Sequence, residues 1–387
     1  MTKLFDIIGK AISGEWGSDD ENNTGIPVIR TTNFTNEGNI DYSNVVTRNI
    51  KKKNIGKKFL KQGDIIIEKS GGSDDQPVGR VVYFNGPNDR YLFNNFTGLL
   101  RIKDTTKWYP RYVFWVLYAS YKQGKTKLYQ NRTTGLHNLR TDAYVKDLDI
   151  NFIPLEEQKH ISEVLDKVRL QIELKKKELS KLDTLIKARF VEMFGDIKNN
   201  QKYNYKQISS FTNVVSGGTP KRDVKEYWDN GTIPWVKTTE LKNKKVNSTE
   251  EYITKSGLQN SSAKLVPAHT ILIAMYGQGK TRGMTAYLEK EAATNQACAC
   301  ILPSSNINSE YLWQYFIMSY NELRNMAKGG NQPNLNSRII KNFPVLYPPV
   351  SLQNKFASFV QQVDKSKVVN NLIMKYIISI DFICSLI

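Results

Sequence analysis

The sequence predicts a mixed α/β fold in which two duplicated domains are separated by two long helices that form an antiparallel coiled coil. Three observations support it. The stretch 155–193 lacks proline and glycine and is rich in strong helix formers. Segments before and after it correspond in order at an offset of roughly 200 residues, as in internal repeats. The length of 387 residues suits two or three domains. We expect domains at 1–152 and 196–348 and helices at 153–195 and 349–387.

The first long helix is indicated by an apolar seam. Its positions follow one another in steps of four and three, with one lysine among them: Ile161, Leu165, Val168, Ile172, Lys175, Leu179, Leu182 and Ile186. This heptad spacing places one stripe of the helix against another helix. Pro154 favours the start of the helix, and Gly195 favours its end. At 1.5 Å per residue the helix spans about 58 Å.

The duplication is visible segment by segment. Residues 26–32 and 233–239 both read Ile-Pro, two apolar residues, a cation and Thr-Thr. Segments 60–67 and 265–273 each predict a buried strand, followed by Gly-rich loops at 68–75 and 274–283 and second strands at 79–84 and 284–288. Helix candidates at 109–121 and 310–328, loops that share an Asn-Leu pair at 138–139 and 334–335, and proline-bounded helix entries at 145–158 and 340–353 complete the series.

The second long helix is predicted over 350–387. It begins in the phase of the first seam and is then expected to shift phase, through Phe356, Val360 and Val363 and then Val369, Ile373, Tyr376, Ile380, Ile383 and Ile387. The first helix carries the chain from one domain to the other, and the second can carry it back. We therefore expect the two helices to run antiparallel, with a domain at each end.

The charge and cysteine content point to a partner and a compartment. Lys and Arg total 55 against 37 acidic residues, a net charge of +18, which indicates a polyanionic partner and nucleic acid first. Three cysteines favour a reduced cytoplasmic protein over a disulfide framework. The apolar C-terminal tail is interrupted by Asn370, Asn371, Lys375 and Asp381, which argues against a membrane anchor.

Three short motifs carry a resemblance to a known family. They are the segment 154–159 with the helix after it, the strand and loop at 63–73, and Gly14-Glu15-Trp16-Gly17. Together with the duplication, which extends over essentially the whole chain, they resemble the specificity subunit of type I restriction–modification systems. The second helix entry departs from the motif, because residues 348–353 read Pro-Pro-Val-Ser-Leu-Gln. The two halves therefore need not pair or dock symmetrically.

The resemblance implies a function for each part of the chain. Two target-recognition domains would each read one half of a split double-stranded DNA site, and the helices would set the gap between the halves. The chain would not itself be a catalyst. It would dock two methyltransferase (modification) subunits and, for cleavage, ATP-driven restriction subunits.

Contacts to DNA need cations for phosphates and amide or hydroxyl groups for base edges. The loops after the paired strands supply both, and their glycines allow close approach of the backbone. The candidate DNA-binding residues are Arg30, Thr31, Thr32, Asn33, Lys69, Ser70, Arg80, Lys237, Thr238, Thr239, Tyr276, Gln278, Lys280 and Arg282. Any single one is equally well explained as an ordinary solvated loop residue, whereas the loops as groups favour contact.

Weaker candidates lie elsewhere in the loops. They are Asn131, Arg132, His137, Lys328, Asn331 and Gln332. The lysines at 51–53, 57 and 58 form either a strip that contacts phosphates or a solvated face, and the net charge favours the strip slightly.

No catalytic, cofactor or metal site is expected. Residues 274–281 resemble a phosphate-binding loop, but Ala274 stands where its first glycine is required. Cys298 and Cys300 lack zinc-site spacing and suit a buried strand. Two other functions stay open: a nuclease or methyltransferase acting alone, and a non-specific scaffold for DNA or RNA with tandem domains. Steep salt dependence without sequence preference would mark the scaffold.

Overall fold

A computed structural model describes residues 1–52, 55–73, 75–133, 136–277, 279–327 and 333–384, and side chains as far as residue 375 apart from 132, 133 and 136. The chain divides into two compact units. Unit 1 comprises residues 1–175 and 373–387, and unit 2 comprises residues 176–372.

Unit 1 begins with a mixed α/β domain that leads into a long helix. Its elements are β1 Thr2–Lys3, α1 Leu4–Ile8, β2 Ile12–Ser13, β3 Ser18–Asp19, β4 Ile26–Ile29, β5 Val46–Asn49, β6 Ile65–Glu68, β7 Ser70–Gly72, β8 Val81–Tyr83, β9 Leu92–Phe93, β10 Thr97–Leu100, α2 Pro110–Lys122, β11 Gln130–Thr133, β12 Leu136–Leu139, α3 Thr141–Asp147, β13 Asp149–Ile150 and α4 Leu155–Phe194.

Unit 2 contains the end of α4, a second domain of the same kind and α9 as far as residue 372. Its further elements are β14 Tyr205–Gln207, β15 Val214–Ser216, β16 Ile233–Val236, β17 Lys244–Val246, β18 Glu251–Ile253, α5 Lys255–Gln259, β19 Ile271–Ala274, β20 Thr285–Leu288, β21 Ala293–Thr294, β22 Cys298–Ile301, α6 Ser309–Met318, α7 Tyr320–Asn325, α8 Ser337–Lys341, β23 Pro344–Leu346 and α9 Val350–Cys384.

The sheet topology repeats between the units. In unit 1 the strand order β2-β10-β6-β8 forms one sheet, and it matches β15-β22-β19-β20 in unit 2. A second sheet holds β5-β4-β9 and matches β18-β16-β21, with the β4–β9 and β16–β21 pairs both parallel. The pairs β1-β13 and β14-β23 correspond as well. The predicted duplication of a mixed α/β domain is therefore confirmed.

The central strand of each unit is buried on both faces. Along β6, Ile65 and Ile67 pack in the core that contains α2, whereas Ile66 packs in the core shared with the second sheet. Along β19, Ile273 packs with α6 and Leu272 packs on the opposite side. Side chains alternate along a strand, so both faces require apolar residues. This explains the continuous apolar runs in the sequence.

The predicted seam of the first long helix is present in α4. Leu165 and Ile186 are buried, and the other seam positions, Lys175 included, are partly buried. Leu170 and Leu174 lie off the seam and are exposed. The aromatic helix predicted at 310–328 differs from the structure, because α6 ends at Met318 and α7 begins at Tyr320.

The two long helices pack against each other in unit 2. Phe356 of α9 contacts Phe190 and Phe194 of α4, with ring centroids 5.5 and 5.6 Å away. Further along, Lys367 of α9 forms an ion pair with Asp183 of α4 at 2.7 Å. Residue numbers rise along α9 as they fall along α4, so the helices run antiparallel, as predicted.

The predicted phase shift of α9 is wrong where side chains are described. Val369 and Ile373, which the shift would bury, are exposed. The helix keeps its first phase, so partly buried Lys367 and buried Asn370 continue the seam after Val363. A polar seam residue fixes helix register at some cost in stability. Tyr376, Ile380 and Ile383 lie outside the described side chains, and Ile387 lies outside the described residues.

Each long helix begins with a buried glutamine that holds the preceding domain. In unit 1, Gln158 Oε1 accepts a hydrogen bond from the Tyr109 N–H at 2.8 Å, just before α2. Its Nε2 donates to the carbonyls of Lys107 and Ile153, both at 2.8 Å. The start of α2 and the start of α4 are thereby joined through one side chain.

The second glutamine repeats this arrangement in unit 2. Gln353 Oε1 accepts from the Asn308 N–H at 2.9 Å, just before α6, and its Nε2 donates to the Pro348 carbonyl at 2.8 Å. Both glutamines are fully buried. The entry motifs of the two halves therefore share a structural role although their other residues differ.

Candidate nucleic-acid interface

The turn after each Ile-Pro strand is a single 3₁₀ turn. In unit 1 the Arg30 N–H donates to Asn33 Oδ1 at 2.9 Å, and in unit 2 the Lys237 N–H donates to Glu240 Oε1 at 2.9 Å. The turn is closed by the residue three positions on, as in a capped helix start. The second threonine of each pair, Thr32 or Thr239, is exposed, while Thr31 and Thr238 are half-buried.

Two predicted DNA-binding residues of unit 1 are bonded within the protein. Asn33 is buried, and its amide also donates to the carbonyls of Asp41 and Asn44, both at 3.1 Å. Arg80 forms an ion pair with buried Glu68 at 2.7 Å. The hydrogen bond to Glu68 raises the pKa of the Arg80 guanidinium. These groups hold the loops in place.

Arg30 and Lys237, the cations directly before the two Thr-Thr pairs, also have partners within the protein. Arg30 is half-buried and donates to the Asn44 carbonyl at 3.0 Å. Lys237 lies 2.7 Å from a Glu251 carboxylate oxygen and 3.0 Å from one of Glu250. The hydrogen bond to Glu251, with that to Glu250, raises the pKa of the Lys237 ammonium. A phosphate would have to compete with these carboxylates for Lys237.

Lys69 and Ser70 follow strand β6 in unit 1. Their N–H groups donate to the Phe96 carbonyl at 2.8 and 3.2 Å. The Lys69 ammonium lies 3.2 Å from Ser13 Oγ. Burial lowers the pKa of Lys69, because the charged form loses water.

Lys69 and Ser70 line an open recess of 790 Å³ in unit 1. Its other residues come from the start of the chain, the turn between β9 and β10, and the segment leading into α3. They include Lys10, Ser13, Asn95, Phe96, Arg140 and Asp142. Three cations and one carboxylate give the recess a net positive charge, which suits a polyanion.

The matching loop of unit 2 has a different form. Tyr276 and Lys280 are exposed, and Gly277 and Gly279 adopt positive φ angles of 136° and 59°. The loop is fixed from behind, because the Tyr320 hydroxyl donates to the Lys280 carbonyl at 2.6 Å. Positive φ favours glycine, so these glycines allow the loop to turn sharply.

The remaining cation of this loop, Arg282, is half-buried and donates to the Pro333 carbonyl. Its own carbonyl accepts from Arg324 at 2.6 Å. Gln278 lies outside the described residues.

The weaker candidates for DNA contact differ in their surroundings. Asn131 pairs across the β11–β12 hairpin with Asn138, and His137 is buried. The side chain of Arg132 is not described, and Lys328, Asn331 and Gln332 lie outside the described residues. Of the lysine run, Lys53 also lies outside, while Lys52 and Lys58 form ion pairs with Glu15 at 2.6 and 2.5 Å.

Sequence reasoning missed the turn that connects β9 with β10 and its partner between β21 and β22. Asn95 and Phe96 in unit 1, and Gln296 in unit 2, are exposed there. The Gln296 side-chain oxygen accepts a hydrogen bond from Thr219. A detectable signal was present, since Asn94-Asn95 and Asn295-Gln296 are spaced like the other repeated segments.

In the part of the chain that the structure describes, no cluster of His, Cys, Asp or Glu has the arrangement of a metal site. No helix there combines the length and apolarity needed to cross a bilayer. Cys298 and Cys300 lie buried on β22, and burial raises the pKa of both thiols, that of Cys300 to about 11.

The chain matches the family described as "Type I restriction modification DNA specificity domain" over residues 2–184 and 200–374. It is 28% identical over 163 residues to the Escherichia coli "Type I restriction enzyme EcoR124I/EcoR124II specificity subunit", and 28% identical over 169 residues to the MjaIX specificity subunit of Methanocaldococcus jannaschii. These matches cover 41% and 42% of this chain and 40% and 38% of those relatives, so the chain matches less than half the length of either.

Two solved structures resemble the whole fold. The type I restriction–modification S subunit of M. genitalium matches with a TM-score of 0.58 at 14% identity, covering 99% of this chain and 94% of that one. A chain from work on complex assembly and conformational transition of the type I R-M system gives 0.57 at 14% identity, covering 99% and 95%. At this identity the likeness concerns the fold alone.

Proposed function

Since the chain belongs to the type I restriction–modification DNA specificity family, we propose that it is the sequence-recognition subunit of such a complex. Each unit reads one half of a split double-stranded DNA site. The observation that carries the proposal is the repetition of one loop arrangement. In each unit the turn with the Thr-Thr pair, the loop after the central strand (β6 or β19) and the turn before β10 or β22 follow equivalent strands. The net charge of +18 supplies attraction to phosphate.

The predicted DNA-binding residues divide into two roles under this proposal. Exposed or half-buried polar groups contact the duplex: Thr31, Thr32, Lys69, Ser70, Thr238, Thr239, Tyr276 and Lys280. Bonded groups shape the loops that present them: Arg30, Asn33, Arg80, Lys237 and Arg282. Gln278 belongs by its position in the sequence to the contacting set. Phosphate contacts orient the subunit, and base-edge contacts specify the sequence.

The long helices serve as spacer and docking surface in this proposal. Keeping the first phase of α9 leaves Val368, Val369 and Leu372 between 55% and 60% exposed. Leu170 and Leu174 of α4 are exposed as well. Each of these two sets lies within about one turn of its own helix, and exposed apolar patches mark interaction sites. We assign them to two methyltransferase subunits, with restriction/translocase subunits joining for cleavage in the cytoplasm, while this chain performs no chemistry itself.

Methylation mapping tests the proposal in cells that carry the chain with its methyltransferase partner. We expect one split motif that disappears when the gene is deleted. Replacing residues 11–150 with the equivalent segment of another family member should change one half-site and leave the other unchanged. The reciprocal exchange in the second domain is the matched control and should change only the other half-site.

A methylation pattern that does not respond to either exchange would refute the proposal. A non-specific scaffold predicts binding that weakens steeply with salt and shows no preference among duplex sequences. Methylation or cleavage by the purified chain alone, given methyl donor or metal, would instead establish an enzyme.

A further inference from the structure

Each unit presents one exposed aromatic side chain at an equivalent place in its fold, where a backbone hydrogen bond joins two loops. In unit 1 the aromatic residue lies on the loop that accepts this hydrogen bond, and in unit 2 it lies on the loop that donates it. In unit 1 the Phe96 carbonyl accepts from the N–H groups of Lys69 and Ser70. In unit 2 the Ala297 carbonyl accepts from the Met275 N–H at 2.8 Å. Phe96 therefore corresponds to Ala297, and Lys69 to Met275.

The next residue in each loop completes the exchange. Ser70 follows Lys69 in unit 1, and Tyr276 follows Met275 in unit 2. Phe96 is 49% exposed and Tyr276 is 43% exposed. Each unit therefore has one aromatic and one small residue at these two equivalent positions. The position that holds the aromatic residue in unit 1 holds the small residue in unit 2, and the reverse. An aromatic side chain at this location is the common feature, whichever strand end supplies it.

The exposure of Phe96 is not explained by packing within the protein. Phe152, another exposed phenylalanine of unit 1, lies edge-on to Trp108 with ring centroids 5.4 Å apart. Within the described residues Phe96 stacks on no other ring. It lines the recess whose cations are Lys10, Lys69 and Arg140. An apolar ring among cations matches a nucleic acid, which offers both bases and phosphates.

We infer that Phe96 in unit 1 and Tyr276 in unit 2 stack on bases at one step of each half-site, while Lys10, Lys69 and Arg140 hold the adjacent phosphates in unit 1. Inserted apolar side chains unstack and kink duplexes at flexible steps. Each ring would therefore favour sequences that open easily at that step. The inference rests on the proposed function and assigns a role to particular residues within it.

The test uses the chain in complex with its methyltransferase partner and duplexes that contain the mapped split site. The fluorescent base 2-aminopurine replaces each base of both half-sites in turn, because its emission rises on unstacking. Apart from the base that the methyltransferase flips out, the wild-type complex should give one bright step in each half-site. Phe96→Ala should abolish the first and keep the second, with binding weakened roughly tenfold. Tyr276→Ala should abolish the second only.

Two further variants separate stacking from charge. Lys69→Met copies the residue of unit 2 and should lower the salt dependence of binding by about one counterion, with the bright step retained. The double variant F96A/S70Y moves the aromatic to the position used in unit 2 and should restore the bright step of the first half-site. Phe152→Ala is the matched control for loss of an exposed phenylalanine and should behave as wild type.

The outcomes distinguish this inference from the proposed function. A wild-type complex that prefers the split site, with F96A and Y276A equal to it in affinity and fluorescence, overturns the inference and leaves the proposed function intact. A wild-type complex without preference for any duplex overturns both. Equal loss of binding in F96A and F152A would indicate a folding defect, and it also counts against stacking.

Discussion

In unit 1 the helix α2 begins against Gln158, and in unit 2 its counterpart α6 begins against Gln353. Both glutamines accept a hydrogen bond from the backbone N–H of the residue before the helix. Two positions after that residue, the side chains of the two units carry opposite charges. Arg111 occupies the position in unit 1, and Glu310 occupies it in unit 2.

Each of these charges is buried and reaches the long helix through a different ion pair. Arg111 Nε lies 2.9 Å from Asp166 Oδ1 on α4, and its guanidinium lies over the rings of Tyr83 and Phe114 at 4.6 and 4.7 Å. Cation–π contacts of this kind favour Arg at the site. The basic residue of the pair therefore belongs to the domain in unit 1.

In unit 2 a lysine joins two carboxylates. Lys245 of β17 lies 3.0 Å from Glu310 and 2.9 Å from Asp364 on α9. Burial alone would lower the pKa of the Lys245 ammonium, yet Glu310 and Asp364 raise it above its ordinary value. The long helix thus contributes a carboxylate in both units, while the residue on the aromatic helix changes sign.

The comparison indicates which contacts a duplicated fold can alter. A glutamine bonded to backbone groups depends on the path of the chain, which both units share. An ion pair depends only on complementary side chains, so it can change sign if its partners change with it. Each domain is consequently matched to its own helix by charge, while the glutamine contact is common to both.

The largest effect is expected from the shared contact. Gln158→Ala leaves one N–H and two carbonyls without their partner in a buried place, so we expect unit 1 to lose about 3 kcal/mol of stability. Gln353→Ala should weaken unit 2 similarly. Thermal unfolding with hydrogen exchange resolved by unit measures both. Glu156→Ala, at an exposed position of the same turn, is the control. Equal stability of Q158A and E156A would show that the glutamine contact is unimportant.

A smaller effect is expected from the contact that differs. Arg111→Glu places two carboxylates together, and because the Asp166 side chain is 41% exposed we expect unit 1 to lose about 2 kcal/mol, less than for a fully buried pair. Adding Asp166→Arg should recover part of this loss, and only part, because the Trp115 indole N–H also donates to Asp166 at 3.2 Å. A double-mutant cycle on unfolding free energies measures the coupling. Additive effects of the two substitutions would show that charge does not match this domain to its helix.

Periodicity and duplication were sufficient to predict the fold, because apolar spacing reports which faces are buried. They failed where a polar contact decided the outcome. Apolar residues alone favoured a phase shift in α9, but the ion pair of Lys367 with Asp183 and the burial of Asn370 hold the original phase. Asp183 is distant from Lys367 in the sequence, so no local pattern signals their ion pair.

The types of residue at the site could be predicted from the sequence, but the groups that they contact within the protein could not. Arg80 and Lys237 have the charge that phosphates require, yet carboxylates of the same unit already bind them. Phe96 was missed because a lone phenylalanine in a sequence suggests a core residue. Only the fold shows that it is exposed beside cations and that its counterpart in unit 2 comes from the neighbouring loop.

The smallest effect concerns acid sensitivity, and it should occur in unit 1 alone. The Glu15 N–H donates to the Phe93 carbonyl, and the equivalent N–H in unit 2, of Gly218, donates to the Thr294 carbonyl, both at 2.8 Å. Glycine has no carboxylate, so unit 2 lacks the ion pairs of Glu15 with Lys52 and Lys58. Hydrogen bonds from Lys52 and then Lys58 lower the pKa of Glu15 below its ordinary value of 4.5.

Because the pKa of Glu15 is lower in the folded state, its contribution is fully present above pH 4.5 and is lost as the pH falls through the folded value. Glu15→Gln should therefore destabilise unit 1 by about 1 kcal/mol or less at neutral pH, with the difference from wild type vanishing in acid. Hydrogen exchange in strands β2 and β3 at a series of pH values measures this difference. A difference that persists unchanged in acid would mean that Glu15 acts through packing and not through its charge.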